Sequence, residues 1–169
     1  MRTSLRTMEN EKGFEEELKG WLFGAEKVTV VGIGNTMRSD DAVGIEIVKL
    51  LHSKVSSRVG LVEAETMPED YMDTIVSFHP SRILIIDSGL IGKKPGNVKL
   101  LAPNEAMKTP VSTHMLPLQV FCAYLEKTIS AKILLLIVQP IDTGMGEGLT
   151  KEIAKTAEGI ADLLIEILP

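Results

Sequence analysis

Three aspartates and one histidine are the residues of this chain whose types and positions suit chemistry. Asp40 and Asp41 stand side by side at the end of the loop Gly32-Ile33-Gly34-Asn35-Thr36-Met37-Arg38-Ser39, which follows the β-branched run Val28-Thr29-Val30-Val31. Asp87 ends the apolar run Ile83-Leu84-Ile85-Ile86. His114 lies in Thr113-His114-Met115-Leu116-Pro117-Leu118, just before a helical segment. A carboxylate at the edge of an apolar core is costly to leave unpaired, so Asp87 requires a donor, a cation or a metal nearby. Two carboxylates and one imidazole could hold a transition metal on one face and leave its other positions open. Each residue also has a plainer reading. Aspartate is a good N-cap and suits the positive end of a helix dipole. A strand-end carboxylate can be satisfied by loop amides, and a lone loop histidine can be an ordinary surface residue. One aspartate suffices for a cap, so the second needs its own account. The positions 41, 87 and 114 are too far apart in sequence to decide between these readings.

The same loop invites a second chemistry. A dinucleotide fingerprint needs G-x-G-x-x-G, and its third glycine is Met37 here. Glu63 or Glu65 falls about where the ribose-binding acid would stand. Asp40 and Asp41, however, occupy the place where a pyrophosphate needs positive potential, which counts against a small nucleotide-binding domain. No G-x-S-x-G elbow occurs and no serine is paired with a base, so a serine or cysteine nucleophile is not supported. Cys122, flanked by Phe121 and Leu125 on an apolar helix face, reads as core. His52 closes a helix and His79 precedes Pro80 in a turn.

The elements that must position these residues follow from hydrophobic periodicity. Helices are expected over 11–23, 40–52, 68–78, 116–127 and 150–168, and strands over 27–33, 61–63, 82–87, 97–101 and 132–138. Residues 1–10 are expected to be disordered and 102–113 to form a loop. Phe14, Leu18, Trp21 and Leu22 give the first helix its apolar face, and Gly24 ends it. Strands alternating with helices imply an α/β fold, a mainly parallel sheet covered on both faces. Ligands then bind beyond the carboxyl ends of the strands, where the strand order reverses. That rule selects the loop from Gly34 to Asp41, Glu63, Asp87 and the strand end Val138-Gln139-Pro140. If the first and third strands are neighbours, Asp41 and Asp87 converge.

Composition bounds the rest. The 169 residues suit a single domain, 1–169, with an extension over 1–25 bearing a short amphipathic helix and a core over 27–168. A net charge of −5 argues against a nucleic-acid or anionic-membrane surface as the main role. The one cysteine excludes an internal disulfide framework and fits a reducing compartment. The N-terminus is charged throughout and has no apolar core of a secretory signal. No apolar run reaches the about 20 residues that span a bilayer. A soluble cytoplasmic protein is expected.

Taken together, G-I-G-N-x-x-x-x-D-D, an apolar strand ending in aspartate, and T-H-x-x-P-L resemble the maturation endopeptidases of nickel-iron hydrogenases. The similarity is strongest to the hydrogenase-3, or formate hydrogenlyase, type. Pro68-Glu69-Asp70, Pro80-Ser81-Arg82 leading to Asp87, Lys94-Pro95-Gly96 and Gln139-Pro140 add to it, over about residues 27–168. The resemblance implies a three-layer α/β/α sandwich around a twisted, mostly parallel but mixed sheet of about five strands. It implies metal contacts at Asp41, Asp87 and His114, with Asp40 capping the helix and orienting its neighbour.

The nickel would belong to the substrate, a hydrogenase large-subunit precursor that arrives metal-loaded with a C-terminal extension still attached. Cleavage of that extension would be the reaction, with Asp41 and Glu63 as catalytic candidates. The free protein could also take another divalent transition metal. The chain departs from the family pattern in having Glu63-Ala64-Glu65 where Asp-Gly-Gly is usual, and Ala42 where glycine is frequent. That change puts the role of Glu63 in doubt and keeps a rival open, a non-catalytic module that senses metal and holds the precursor without cutting it.

Overall fold

Every residue of the strand Val28–Ile33 is buried, and so is all but the first residue of Lys132–Val138. Strands this apolar need cover on both faces, as in parallel sheets wound with helices. The computed structural model describes residues 11–108 and 114–169. In it β1 (Val28–Ile33), β2 (Val59–Glu65), β3 (Arg82–Ser88), β4 (Val98–Leu101) and β5 (Lys132–Val138) form one sheet in the order β2-β1-β3-β5-β4. β2, β1, β3 and β5 run parallel, and β4 lies antiparallel on the β5 edge. The sheet is therefore mixed, as expected.

Six helices are described: α1 (Glu11–Leu22), α2 (Val43–Leu51), α3 (Met72–Phe78), α4 (Pro103–Lys108), α5 (Met115–Thr128) and α6 (Lys151–Ile167). One face of the sheet packs on α1, α2 and α6 through Leu18, Ile47, Leu84, Leu136 and Leu164. The other packs on α3, α4 and α5 through Ile75, Ile85, Ala106, Phe121 and Ile137. α1 docks on the sheet by burying Leu18 and Leu22. None of the described helices is long and apolar enough to cross a membrane.

Four elements differ by more than one residue from the pattern-based expectation. β2 runs from Val59 to Glu65, longer than 61–63, because Val59, Gly60 and Glu65 also pair with β1. The helices expected from 40 and 68 each begin with a 3-10 turn, Ser39–Ala42 and Pro68–Tyr71. Within 102–113, expected as loop, Pro103–Lys108 is helical. Pro103 opens that helix and Glu105 accepts the Ala102 N–H at 2.8 Å, half of a capping box. The rest of that loop, and residues 1–10, lie outside the described residues.

Two close approaches seat α2 on the strand ends. A Cβ on Gly44 would run into the carbonyl oxygens of Ile86 and Ile33, and one on Gly32 would meet the Gly44 carbonyl. Helix α2 therefore starts in direct contact with β1 and β3. At Gly34 φ is +149° and a Cβ would strike the Asp41 carbonyl. The glycines of the loop thus let the chain turn tightly under Asp41.

Glu65 shows the opposite situation. It takes φ +50°, a left-handed conformation, while its carbonyl accepts the Gly34 N–H at 2.9 Å. A non-glycine residue there costs about 1–2 kcal/mol, against about 0.5–1 kcal/mol for glycine's extra unfolded-state entropy. Glu65→Gly should accordingly raise stability by about 0.5–1 kcal/mol, read from the urea midpoint. An unchanged or lower midpoint would refute this.

Candidate active site

The strand order reverses between β1 and β3, which pair directly in parallel from Val28–Arg82 to Gly32–Ile86. Asp87 follows Ile86 at the carboxyl end of β3, fully buried. By alternation along β3 it shares the side of Ile83 and Ile85, which face α5. His114 stands immediately before α5. Asp41 is delivered from the other direction by the 3-10 turn that leads into α2.

The three side chains meet at this point. His114 Nδ1 lies 3.4 Å from Asp87 Oδ2, and His114 Nε2 lies 3.8 Å from Asp41 Oδ2. The Asn35 N–H donates to Asp41 Oδ2 at 3.0 Å, and the Ser88 hydroxyl donates to Asp41 Oδ1 at 2.9 Å. The Ser88 N–H donates to Asp87 Oδ1 at 2.8 Å. A backbone amide of the glycine loop thus points at a carboxylate where a nucleotide-binding loop would hold a phosphate. The cluster is enclosed, with Asp41 3% and Asp87 0% exposed.

The adjacent Asp40 faces away and does other work. The expected helix cap is not formed, since neither the 3-10 turn nor α2 has a side-chain cap. Asp40 instead accepts the N–H groups of Ile141 and Asp142, each at 3.0 Å, and the N–H and hydroxyl of Thr150, at 2.7 and 3.1 Å. Thr150 is the N-cap of α6, so the carboxylate sits at the positive end of that helix. The physical reason is the sharp turn at Ser39, φ +47°, which sends the two aspartates to different partners. Asp40 thereby ties the segment after β5 against the glycine loop, a link doubled by Ser39 N–H to Gly146 and Gly146 N–H to Met37 backbone bonds.

Glu63 is not brought to the cluster. It shares the side of Leu61, which packs with the α2 and α6 core, whereas Asp87 lies on the α5 side. Its carboxylate is 2.9 Å from His52 Nε2, at the end of α2. Ser88 and Gln139 belong to the site's framework but were not singled out as contributors by residue type. Ser88 bridges the two carboxylates, and Gln139 accepts the Ile91 N–H at 2.8 Å, bracing the loop after β3. Their signal was positional, since Ser88 ends β3 and Gln139 follows β5 at the carboxyl edge. Cys122 is core, its thiol pushed up to about 12 by burial and by Glu126.

The hydrogen bond to Asp87 raises the pKa of His114 above its ordinary value. Burial opposes this, the charges of Asp87 and Asp41 add to it, and Arg38 opposes it more weakly. A raised folded pKa means that protonation stabilises the fold. That contribution is fully present below the unfolded value of about 6.5 and is lost as pH rises through the folded value. The thermal midpoint of the metal-free protein should fall across that window, and His114→Gln should remove this component. An identical profile for the variant would contradict the assignment.

A family model for hydrogenase maturation protease matches residues 45–167. The chain belongs to the hydrogenase maturation proteases. A Methanocaldococcus jannaschii protein provisionally named as such a protease is 33% identical over 162 residues, covering 91% of this chain and 95% of that protein. The hydrogenase 3 maturation protease of Escherichia coli K12 is 25% identical over 129 residues, covering 76% and 82%. The crystal structure of the nickel-iron hydrogenase maturation protease HycI from Thermococcus kodakarensis superposes with a TM-score of 0.84 at 31% identity, covering 90% of this chain and 98% of that one. Maturation proteases of this kind are endopeptidases that process hydrogenase large-subunit precursors, and the chain is a peptidase of that family with the same fold.

Proposed function

We propose that this maturation protease removes the C-terminal extension of a nickel-loaded hydrogenase large-subunit precursor, and that Asp41, Asp87 and His114 read the substrate's nickel. The observation that carries the proposal is the meeting of these three side chains, distant in sequence, at the switch point between β1 and β3. Two carboxylates and an imidazole form an oxygen and nitrogen donor set suited to a first-row divalent ion.

The chain's own residues hold that set in place. Ser88 and Asn35 fix the Asp41 carboxylate, and the Ser88 amide fixes that of Asp87. His114 directs Nδ1 to Asp87 and so turns Nε2 toward Asp41. A carboxylate partner for the second ring nitrogen is the usual way to orient an imidazole ligand. The substrate's nickel, once bound, supplies Lewis acidity beside the scissile peptide. Asp41 Oδ2, which faces His114 Nε2, is the candidate to orient a water there. Glu63, held by His52, acts at most through the backbone of β2.

The test is to incubate the protein with the nickel-loaded precursor and with its nickel-free form, and to follow both by intact mass. Loss of a C-terminal peptide from the loaded form alone is the expected result. Cleavage of both forms equally would remove the nickel-reading role. Binding of the loaded precursor with no new fragment would replace the peptidase reading with that of a metal-sensing holder.

A further inference from the structure

Apolar side chains are gathered around the cluster in a way that the fold does not need. Met37 leaves the end of β1, Met67 the end of β2, Leu90 the end of β3, and Ile141 and Met145 the end of β5. All five are between 49% and 81% exposed. They sit on four loops that parallel strand topology brings to one edge of the sheet. The Met37 and Met145 loops are joined through the Gly146 N–H to Met37 carbonyl bond at 2.9 Å. Asp40 anchors the Ile141 end of the same loop, and Gln139 braces the residue after Leu90. These side chains are thus held out in water by hydrogen-bonded backbone. A collection of exposed apolar groups on one face marks an interaction surface, and methionine adapts to an irregular partner.

We propose that this collar is the docking surface for the hydrogenase large-subunit precursor, seating the apolar protein surface that surrounds its nickel. The inference rests on the nickel-reading role proposed above. Geometry commits it to this occupant. Transition metals bind oxygen and nitrogen at about 2.0–2.2 Å, and Asp41 and Asp87 are enclosed. A nickel ion carried by a folded protein can reach them only when that protein's surface lies against the loops around the cluster. Those loops are the ones that present Met37, Met67, Leu90, Ile141 and Met145. The collar supplies affinity common to the bound and reacting states, so its loss should appear in KM rather than in kcat.

The experiment uses the double variant Leu90→Ser, Met145→Ser, whose side chains contribute little to the core. With the nickel-loaded precursor, KM should rise about tenfold, which corresponds to about 1.4 kcal/mol lost from the two apolar contacts together. The thermal midpoint should be unchanged. Phe23→Ser, which removes an exposed apolar side chain 87% exposed at the far end of α1, should leave KM at the wild-type value. A double variant with wild-type KM would overturn the collar while leaving the peptidase reading intact. If the wild type fails to cut, binding of the same precursor by calorimetry decides the collar separately. Tenfold weaker binding by the double variant then supports it, and equal binding, or none by the wild type, overturns it.

Discussion

His114→Ala and Asp41→Asn should each abolish cleavage of the nickel-loaded precursor while leaving the protein folded. Asp41→Asn keeps the shape and one oxygen to accept from the Asn35 amide, while its NH2 can donate to the Ser88 hydroxyl oxygen, but it removes the charge that faces His114. His114→Ala takes away the nitrogen donor of the set, and its place before α5 involves no side-chain cap. Replacing an outer partner of a metal site typically costs about 10–100-fold in metal affinity or activity, and losing a ligand costs more. Ser88→Ala provides the graded control. It removes the bridge between the carboxylates without touching the donors, so a loss of about 10–100-fold is expected. Intact mass follows the cleavage, and circular dichroism with a thermal scan reports the fold. Full processing by either His114→Ala or Asp41→Asn would exclude the three-residue set.

The fold and the cluster were legible for a reason that the site itself explains. β1, β3 and β5 are so apolar that they admit no other placement than the middle of a covered sheet. Once β1 and β3 are central neighbours, the switch point follows, and residues at strand ends become the site. Asp87 advertised itself as a charge closing an apolar strand. His114 was legible only through its motif, because nothing in a loop's composition states where it folds back. The role of Asp40 was not legible. Capping is a local rule, and the partners of this carboxylate lie about a hundred residues away in the segment from Ile141 to Thr150. The distance of Glu63 from the cluster was hidden for a related reason. Strand ends select a sheet edge, but alternation decides the face, and Glu63, paired in register with Gly32, falls on the side of Leu61.

Asp40→Ala should destabilise the protein by several kcal/mol, in contrast to the adjacent Asp41→Asn. The Asp40 side chain is fully buried and accepts from three backbone N–H groups and one hydroxyl. Truncation leaves these donors without their acceptor. Hydrogen bonds to a charged group contribute roughly 1.5–3 kcal/mol each, and water entering the vacated space restores part of that. A net loss of about 3–5 kcal/mol is expected, in the range found when a buried charge partner is removed. The segment from Ile141 to Thr150 would lose its tie to the glycine loop, and with it the fixed placement of Ile141 and Met145. Urea denaturation measures the first effect. Amide hydrogen exchange at Ile141, Asp142 and Thr150 measures the second, with faster exchange expected there than in β3. Wild-type stability in Asp40→Ala would show that the four bonds contribute nothing net. Slow exchange at these amides would show that the loop is held by other means. The expected pairing is a stable, inactive Asp41 variant beside an unstable Asp40 variant. It follows from one backbone turn that sends two identical side chains in opposite directions, one to the cluster and one to the loop that surrounds it.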